Sequence, residues 1–586
     1  MASTFWGTCS TIAGNDPPCG SDCEAIYVPT SVALRACPAP GDECVYAFTQ
    51  GALVAGDGGE GVWRWDEDAT DDDNLGTVLL PAGHTGDGRW RRVRAGTSLE
   101  TAWFGGITQE AIQATFTYQQ SLGADGARGY FRITPGEYTI TDEIDAHIPY
   151  AAETNGYEGW HVDARGVVFN FVGADAKIKL DRGDFDRVTG TSRRYHWLGG
   201  ILIGDGTAGQ VGIQAYFMRS MSFTATAFIG MDAGVRLWGL DTYTFRDCYF
   251  FDNDVSIDVP LGSSVQGSAP AVPDVTICLA VRDCHFSVSG MTSGIRIRSR
   301  LNNLIVSGGS FNGASTGPHI DEWFDDDDSG VFSMATQVDN VHFENFTTYP
   351  ISMTVDASVS AIGNHGYHGV DLRNNFFRAD LSAFTPDELL DLRGVRSISM
   401  EANAIFCTNA TAKGVALFGE SVRSVRWGAG NSAINMRDTS LLVFPSSAYR
   451  KYAHIEPAHF SGLAKNAPGF ASEIVTATSA NIDAWALVED QYTQFALMPR
   501  GYDVMLRAFA ADSAAAAFNQ LQINVYSSDV GLNSGVSVNL AGNPNNRPTV
   551  ETGFVAANSD GSIDFAATYG ASGEATVLVQ IRGVYF

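Results

Sequence analysis

Lysine is nearly absent from this chain, occurring only at Lys177, Lys179, Lys413, Lys451 and Lys465, so arginine supplies almost all of the positive charge. Cationic residues of both kinds are scarce, with 37 Lys+Arg against 66 Asp+Glu, a net charge of −29 and a pI near 4.6. That balance excludes a dedicated nucleic-acid binder, because neutralising phosphates requires clustered Lys and Arg. Long apolar runs are missing as well. No window reaches the roughly 18 residues of a membrane span, so membrane insertion is not expected. Residues Met1 to Ser10 have neither a basic nor an apolar signal region, so no secretion signal is read there. What the chain does have is 63 glycines, 45 % hydrophobic residues and 11 % aromatics. This composition lies far from the disordered class and favours many turns. Its 586 residues suit three or four domains, or one long repetitive one.

Five of the nine cysteines, Cys9, Cys19, Cys23, Cys37 and Cys44, fall near the N-terminus. Their spacing matches no zinc pattern. Cys37 and Cys44 bracket the turn-forming Pro38-Ala39-Pro40-Gly41-Asp42 and are the best-placed disulfide couple. Cys248, Cys278, Cys284 and Cys407 sit in apolar runs and read as small core residues.

From Ala25 to Val93 the pattern is strands and turns. It runs through Val45-Tyr46-Ala47-Phe48, the glycine-rich Gly56 to Gly61 and Val62-Trp63-Arg64-Trp65-Asp66. The acidic turn Asp71-Asp72-Asp73-Asn74, the strand Gly76 to Pro81 and Gly88-Arg89-Trp90-Arg91-Arg92-Val93 complete it. This order resembles the small β module that precedes the β-helix in many bacteriophage tailspike proteins. In that family the module is a connector, and the two cysteines here depart from its pattern. Next, Thr108 to Leu122 predicts a helix, with Thr108 as N-cap, Ala111, Ile112, Thr115 and Phe116 on one face, and Gly123 as terminator. Followed by Tyr130-Phe131-Arg132-Ile133, a turn at Thr134-Pro135-Gly136 and a second strand, it resembles the start of pectin-lyase-type right-handed parallel β-helices. There a short helix closes the open end.

A loose repeat then pairs a strand with an Asp or Asn turn and an aromatic. Phe228, Phe250, Phe286, Phe311, Phe343, Phe377, Phe406 and Ile434 recur at intervals of 22 to 36 residues. Such periods mean a solenoid whose rungs share a cross-section while loop lengths vary. Asp247, Asp283, Asn340 and Asn374 recur at its tight turns. Stacked side chains bonding neighbouring backbone explain them better than a row of catalytic acids. After about Tyr452, alternating strands such as Leu521 to Val525 and Val536 to Leu540 predict an antiparallel β-sandwich. The fold class expected is therefore all-β. With the tailspike resemblance, the expected order is an attachment segment (1–25), a connector (26–96), a right-handed parallel β-helix (97–450, capping helix 108–122) and a C-terminal β-sandwich (451–586), the last implied by the resemblance to serve trimerisation or carbohydrate binding.

Several motifs fail on context. Gly56-x-Gly58-x-x-Gly61 and Gly204-x-Gly206-x-x-Gly209 match the dinucleotide fingerprint but open no helix, so no nucleotide cofactor is expected. Gly313-Ala314-Ser315-Thr316-Gly317 mimics a nucleophile elbow without the helix and reads as a turn. Asp325-x-Asp327-x-Ser329-Gly330 begins like a calcium loop, but Thr336 stands where Glu is needed, so no metal is called for.

The stretch from Gly294 to Gly330 carries the functional signal. Arg296, Arg298 and Arg300 alternate and so share a strand face, with Ile295, Ile297 and Leu301 on the other. His319-Ile320-Asp321-Glu322-Trp323 follows. Two readings of these residues stand, a salt-linked solvated face or a carbohydrate groove in which aromatics stack on sugars and paired carboxylates cleave them. Glycoside hydrolysis needs two carboxyls about 5–5.5 or 6.5–9.5 Å apart, and rungs stack at about 4.8 Å. Asp321, Glu322 and Glu344 are the candidate acids, with Asp252 and Asp254 in reserve. Trp323 and Trp238 are the candidate stacking platforms, and Arg296, Arg298 and His319 the candidate polar contacts. The tailspike resemblance implies a virion protein, made in the host cytoplasm and attached through its N-terminus to tail or baseplate proteins. It implies a homotrimer that binds and depolymerises a bacterial surface polysaccharide. A non-enzymatic receptor-binding spike and a polysaccharide lyase are the alternatives.

Overall fold

Alternation of apolar and polar residues over short strands, with Gly, Asp or Asn between them, turns the chain three times per coil and stacks like residues on like. A computed structural model shows this. It describes residues 10–11, 24–40, 45–94, 98–122, 129–148, 159–180, 194–216, 220–238, 242–260, 275–298, 300–324, 335–355, 367–379, 384, 386–407, 414–428, 430–434, 442–445, 453–455, 470–475, 479–482, 501–511, 521–527, 529, 531–539, 549–559, 562–569 and 574–585. The chain divides into two compact units, 1–301 and 302–586.

The first unit opens with a sheet in which Val45–Thr49, Gly61–Asp66 and Arg89–Arg92 run antiparallel, while Glu24–Val28 adds in parallel. Trp63, Trp65, Trp90 and Leu34 are buried at its centre. Leu34 comes from a short helix, Ser31–Arg35, which the sequence pattern did not announce and which Thr30 caps through Ala33 N. Arg92 is buried and donates to the carbonyls of Gly59, Glu60 and Gly76 between the rings of Trp63 and Trp103. Burial holds its guanidinium down at about 10. Cys37 is buried and disulfide-bonded; Cys44, its expected partner, lies outside the described residues.

The capping helix runs Gln109–Ser121, and Thr108 accepts from Ala111 N at 3.1 Å. Ala111, Ile112, Thr115 and Phe116 are buried, with the Phe116 ring 5.0 Å from Phe131 and 5.7 Å from Trp160. Gly123 lies outside the described residues. Beyond the helix, three parallel sheets grow together. One stacks Gly129–Arg132, Gly159–Asp163, Arg194–Leu198, Ser220–Thr224, Thr242–Arg246 and Val275–Arg282. A second runs from Gly136–Ile140 through Ala227–Ile229 and Tyr249–Phe251 to His285–Ser287. The third runs from Glu143–Asp145 through Val255–Val259 to Ser293–Ile297. One strand per sheet in every coil is a parallel β-helix. Inside it, Phe228, Phe250 and Phe286 stack face to face at 5.0 and 4.7 Å.

The second unit has the same plan, with Phe311, Phe343 and Phe377 stacked at 5.2 and 5.0 Å. The repeat slips by one residue further on. Ile405, not Phe406, pairs with Phe377, and Ala433, not Ile434, continues the column. Period-two alternation makes such a slip exchange the faces. Turn residues Asp247 and Asp283 in the first unit, and Asn340 and Asn374 in the second, have φ of 53°, 53°, 56° and 53°. A left-handed backbone, tolerated by Asp and Asn, explains them. The stacked ladder that bonds neighbouring backbone sits one residue later, in buried Asn375, Asn403 and Asn431. Their amides donate to Val338, Leu372 and Met400 carbonyls at 2.8 Å each. Past the helix, Phe470–Val475, Glu574–Tyr585, Gly501–Ala511 and Thr549–Ala556 form one antiparallel sheet. Ser479–Ile482, Ile563–Tyr569, Leu521–Ser527 and Gly531–Asn539 form another.

Candidate functional site

In four successive strands of the first unit, Phe131, Trp160, Val162, Tyr195, Trp197, Met221 and Phe223 fill the core. Alternation turns their neighbours outward. Register then aligns Tyr130, His161, His196 and Ser222 in a row, with Arg132 and Asp163 in the row beside it. Tyr130, His161, Asp163, His196, Ser222 and Thr224 line a cleft of about 240 Å³.

The groups in this cleft are tied to one another. The imidazoles of His161 and His196 stack at 4.6 Å, 22° from parallel. His196 Nδ1 lies 2.6 Å from Ser222 Oγ. Burial first, then the neighbouring His161 and Arg194, lowers the basicity of His196. Asp163 receives a two-pronged contact from Arg165, at 2.9 Å from Nε and 2.7 Å from Nη2. The Tyr130 hydroxyl donates to Asp163 Oδ2 at 3.2 Å. Chiefly because of Arg165, the Asp163 carboxyl falls to about 2 and stays ionised. Burial and that carboxylate raise the Tyr130 hydroxyl and keep it protonated. The cleft therefore presents an imidazole of lowered basicity, a protonated phenol and one carboxylate held by Arg165, a set suited to moving protons.

The residues singled out in the sequence fall elsewhere. In the first unit, Arg296 Nε contacts Asp258 at 2.9 Å, and Arg236 bonds the same carboxylate at 3.1 Å. Arg298 lies beyond the end of Ser293–Ile297 and Arg300 begins a different strand, so the three arginines do not share one. Asp252 occupies a left-handed turn, φ 52°. Asp254 accepts from Thr292 N and Oγ1, at 3.2 and 2.6 Å, fastening that loop. Trp238 ends a strand, and its side chain lies outside the described residues.

In the second unit, Asp321 and Trp323 are half-buried and flank Glu322, which is 2 % exposed. The strand turns Glu322 inward, against the groove-facing position expected, and its carboxyl accepts from Thr336 Oγ1 at 3.2 Å. Burial pushes it up to about 8. His319 is fully buried between Phe311 and Phe343, its Nε2 3.0 Å from the Gly313 carbonyl and its Nδ1 unpartnered. Burial lowers it to about 4. Glu344 is half-buried in a strand of another sheet from Asp321. Ser315 bonds the Gly317 carbonyl at 2.5 Å in a turn leading to a strand. The acidic loop from Asp325 to Gly330 lies outside the described residues.

Only stacking reveals the cleft. Trp160-His161-Val162-Asp163 and Tyr195-His196-Trp197 share an alternation with aromatic inward neighbours, which was the available signal.

No family model and no curated protein matches the sequence. Solved structures do. The enzymatically active domain of bacteriophage CBA120 tailspike protein 4 is 12 % identical, with 95 % of this chain and 77 % of that one covered and a TM-score of 0.43. Tailspike protein gp49 of Acinetobacter baumannii bacteriophage Fri1, a capsular polysaccharide depolymerase, is 11 % identical over 96 % and 100 %, at 0.34. Pantoea stewartii WceF, a glycan biofilm modifying enzyme with a tailspike-like parallel β-helix fold, is 13 % identical over 95 % and 71 %, at 0.30.

Proposed function

We propose that this chain is a phage tailspike that binds and depolymerises a bacterial surface polysaccharide during host adsorption. The cleft carries the proposal. It is an outward hollow on a stack of strands, with Tyr130, His161 and His196 held in register by neighbouring rungs. A polymer can lie across such a face while one sugar enters the hollow, and rigid strands hold acid–base groups more closely than loops do. The connector supports the same reading, because its buried tryptophans and Arg92 make a small rigid module suited to linking a β-helix to a particle. In this proposal the N-terminal segment attaches to tail or baseplate proteins, three chains assemble, and the two C-terminal antiparallel sheets form the sandwich that aids assembly.

The test is binding to whole cells. Fluorescently labelled protein should coat encapsulated host bacteria and fail to coat the same cells stripped of surface polysaccharide. Equal labelling of stripped and intact cells would contradict the proposal.

A further inference from the structure

Resting on the three-chain assembly of the tailspike proposal, we infer that the outer face of the second sheet of the first unit lines the three-fold axis, where it meets the same face of two further copies of this chain.

Alternation fixes what this face presents. Phe169, Leu202, Phe228 and Phe250 point into the core and are fully buried. Their neighbours point outward, and register stacks Val168, Ile201, Ala227 and Tyr249 in one column. Asn170, Ile203, Ile229 and Phe251 make the column beside it. None of these eight outward positions is charged. Ile201 and Tyr249 are 40 % and 44 % exposed, and the Tyr249 ring stacks on Phe251 at 6.2 Å, 10° from parallel. The outer faces of the other two sheets in this unit differ. One carries Arg132, Asp163 and Arg246, the other Lys177, Arg236 and Asp258. On a chain of net charge −29, an uncharged and largely apolar stripe thus runs parallel to the stack of strands.

A second copy is the occupant that this charge pattern fits. On a three-fold axis every side chain faces copies of itself, so a charged residue there repels its own image. Ile, Ala, Tyr and Phe do not, and taking them out of water is favourable. The borders of the stripe support the same arrangement. Exposed Asp205, Asp252 and Asp254 lie along one border, just after its strands. Exposed Arg246 and Arg282 lie along the other, just before its strands, beside Asp247 and Asp283. Three-fold packing brings one border of each copy against the opposite border of the next. Arginines of one chain are thereby set beside aspartates of its neighbour, giving an apolar centre and a polar rim. Such rim pairs fix orientation more than they add affinity. Ile201–Ile203, Ala227–Ile229 and Tyr249–Phe251 are each three residues long. Three such faces enclose a space only about 10 Å across, which their side chains fill.

The test uses the intact protein and light scattering. Ile203→Glu and Ile229→Glu each set three carboxylates around the axis. Each variant should need at least ~10²-fold more protein to assemble than the native chain, and salt should partly restore assembly by screening the new charges. Circular dichroism should stay native, because both positions point outward. Where a Glu variant fails to fold, Ile229→Cys decides. Mild oxidation of its assembled form should join two of the three chains and leave the third single on a denaturing gel. A native chain of three times 62.7 kDa, with Glu variants that assemble equally well and no cross-link in Ile229→Cys, would put the interface on another face and leave the assembly proposal standing. A native chain of 62.7 kDa would end both. Assembly that survives in the Glu variants, with polysaccharide no longer retained by Tyr249→Ala, would make the stripe a sugar-stacking surface instead.

Discussion

At the residue scale, two buried titratable groups of the second unit give opposite pH dependences. Glu322 titrates near 4.5 when unfolded and at about 8 when folded. The folded chain keeps a proton there that the unfolded chain has lost, so this contribution to stability is full below about 4.5 and is lost as pH rises through about 8. His319 is lowered from 6.5 to about 4. Its contribution is full above 6.5 and is lost as pH falls through about 4. Thermal midpoints measured across pH should therefore show Glu322→Gln flattening the fall in stability as pH rises from about 4.5 to 8, and His319→Leu flattening the fall as pH drops from 6.5 to about 4. An unchanged slope in either variant would put that side chain in water. Activity separates the cleft from the acids first read in the sequence. His196→Asn should lose at least ~10²-fold in cleavage, whereas Asp321→Asn and Glu344→Gln should stay within a few-fold. The reverse pattern would return the site to Asp321.

At the level of elements, the aromatic columns supply packing and the turns supply geometry. Phe250 lies between Phe228 and Phe286. Replacing it with Ala should cost about 3–5 kcal/mol, read as a lowered denaturation midpoint. Asn374, at φ 53°, should tolerate Gly but lose about 1–2 kcal/mol on replacement by Val, whose branched side chain resists the left-handed region. These elements also mark how far the sequence is readable. The capping helix, the connector strands and the Phe columns rest on local signals, namely a Thr cap, alternation and a turn residue. All of these stood out in the sequence. Where a rung has no strong aromatic anchor, as at Ile405 and Ala433, the register slipped by one. The same ambiguity placed Glu322 on the outside when it lies within. The cleft was missed for a further reason. Its parts come from strands separated by loops of different lengths, and only stacking sets Tyr130, His161 and His196 side by side.

For the whole molecule, −29 charges per chain set a condition on assembly. A parallel homotrimer, expected because long β-helices gain burial side by side, must outweigh its own repulsion. Light scattering should give about three times 62.7 kDa, and moderate salt should leave association unchanged or strengthen it. Dissociation in salt would mean that attractive ion pairs hold the chains together. Removing Met1 to Val93 should abolish particle attachment and leave assembly intact. Among the described residues no helix is long and apolar enough to cross a membrane. The most direct measurement of the central claim is the size of purified host surface polysaccharide, followed by size-exclusion chromatography with light scattering during incubation with the intact protein. The polymer should fall progressively to short oligosaccharides; full-length polymer held tightly by the protein after prolonged incubation would contradict depolymerisation and leave a binding spike.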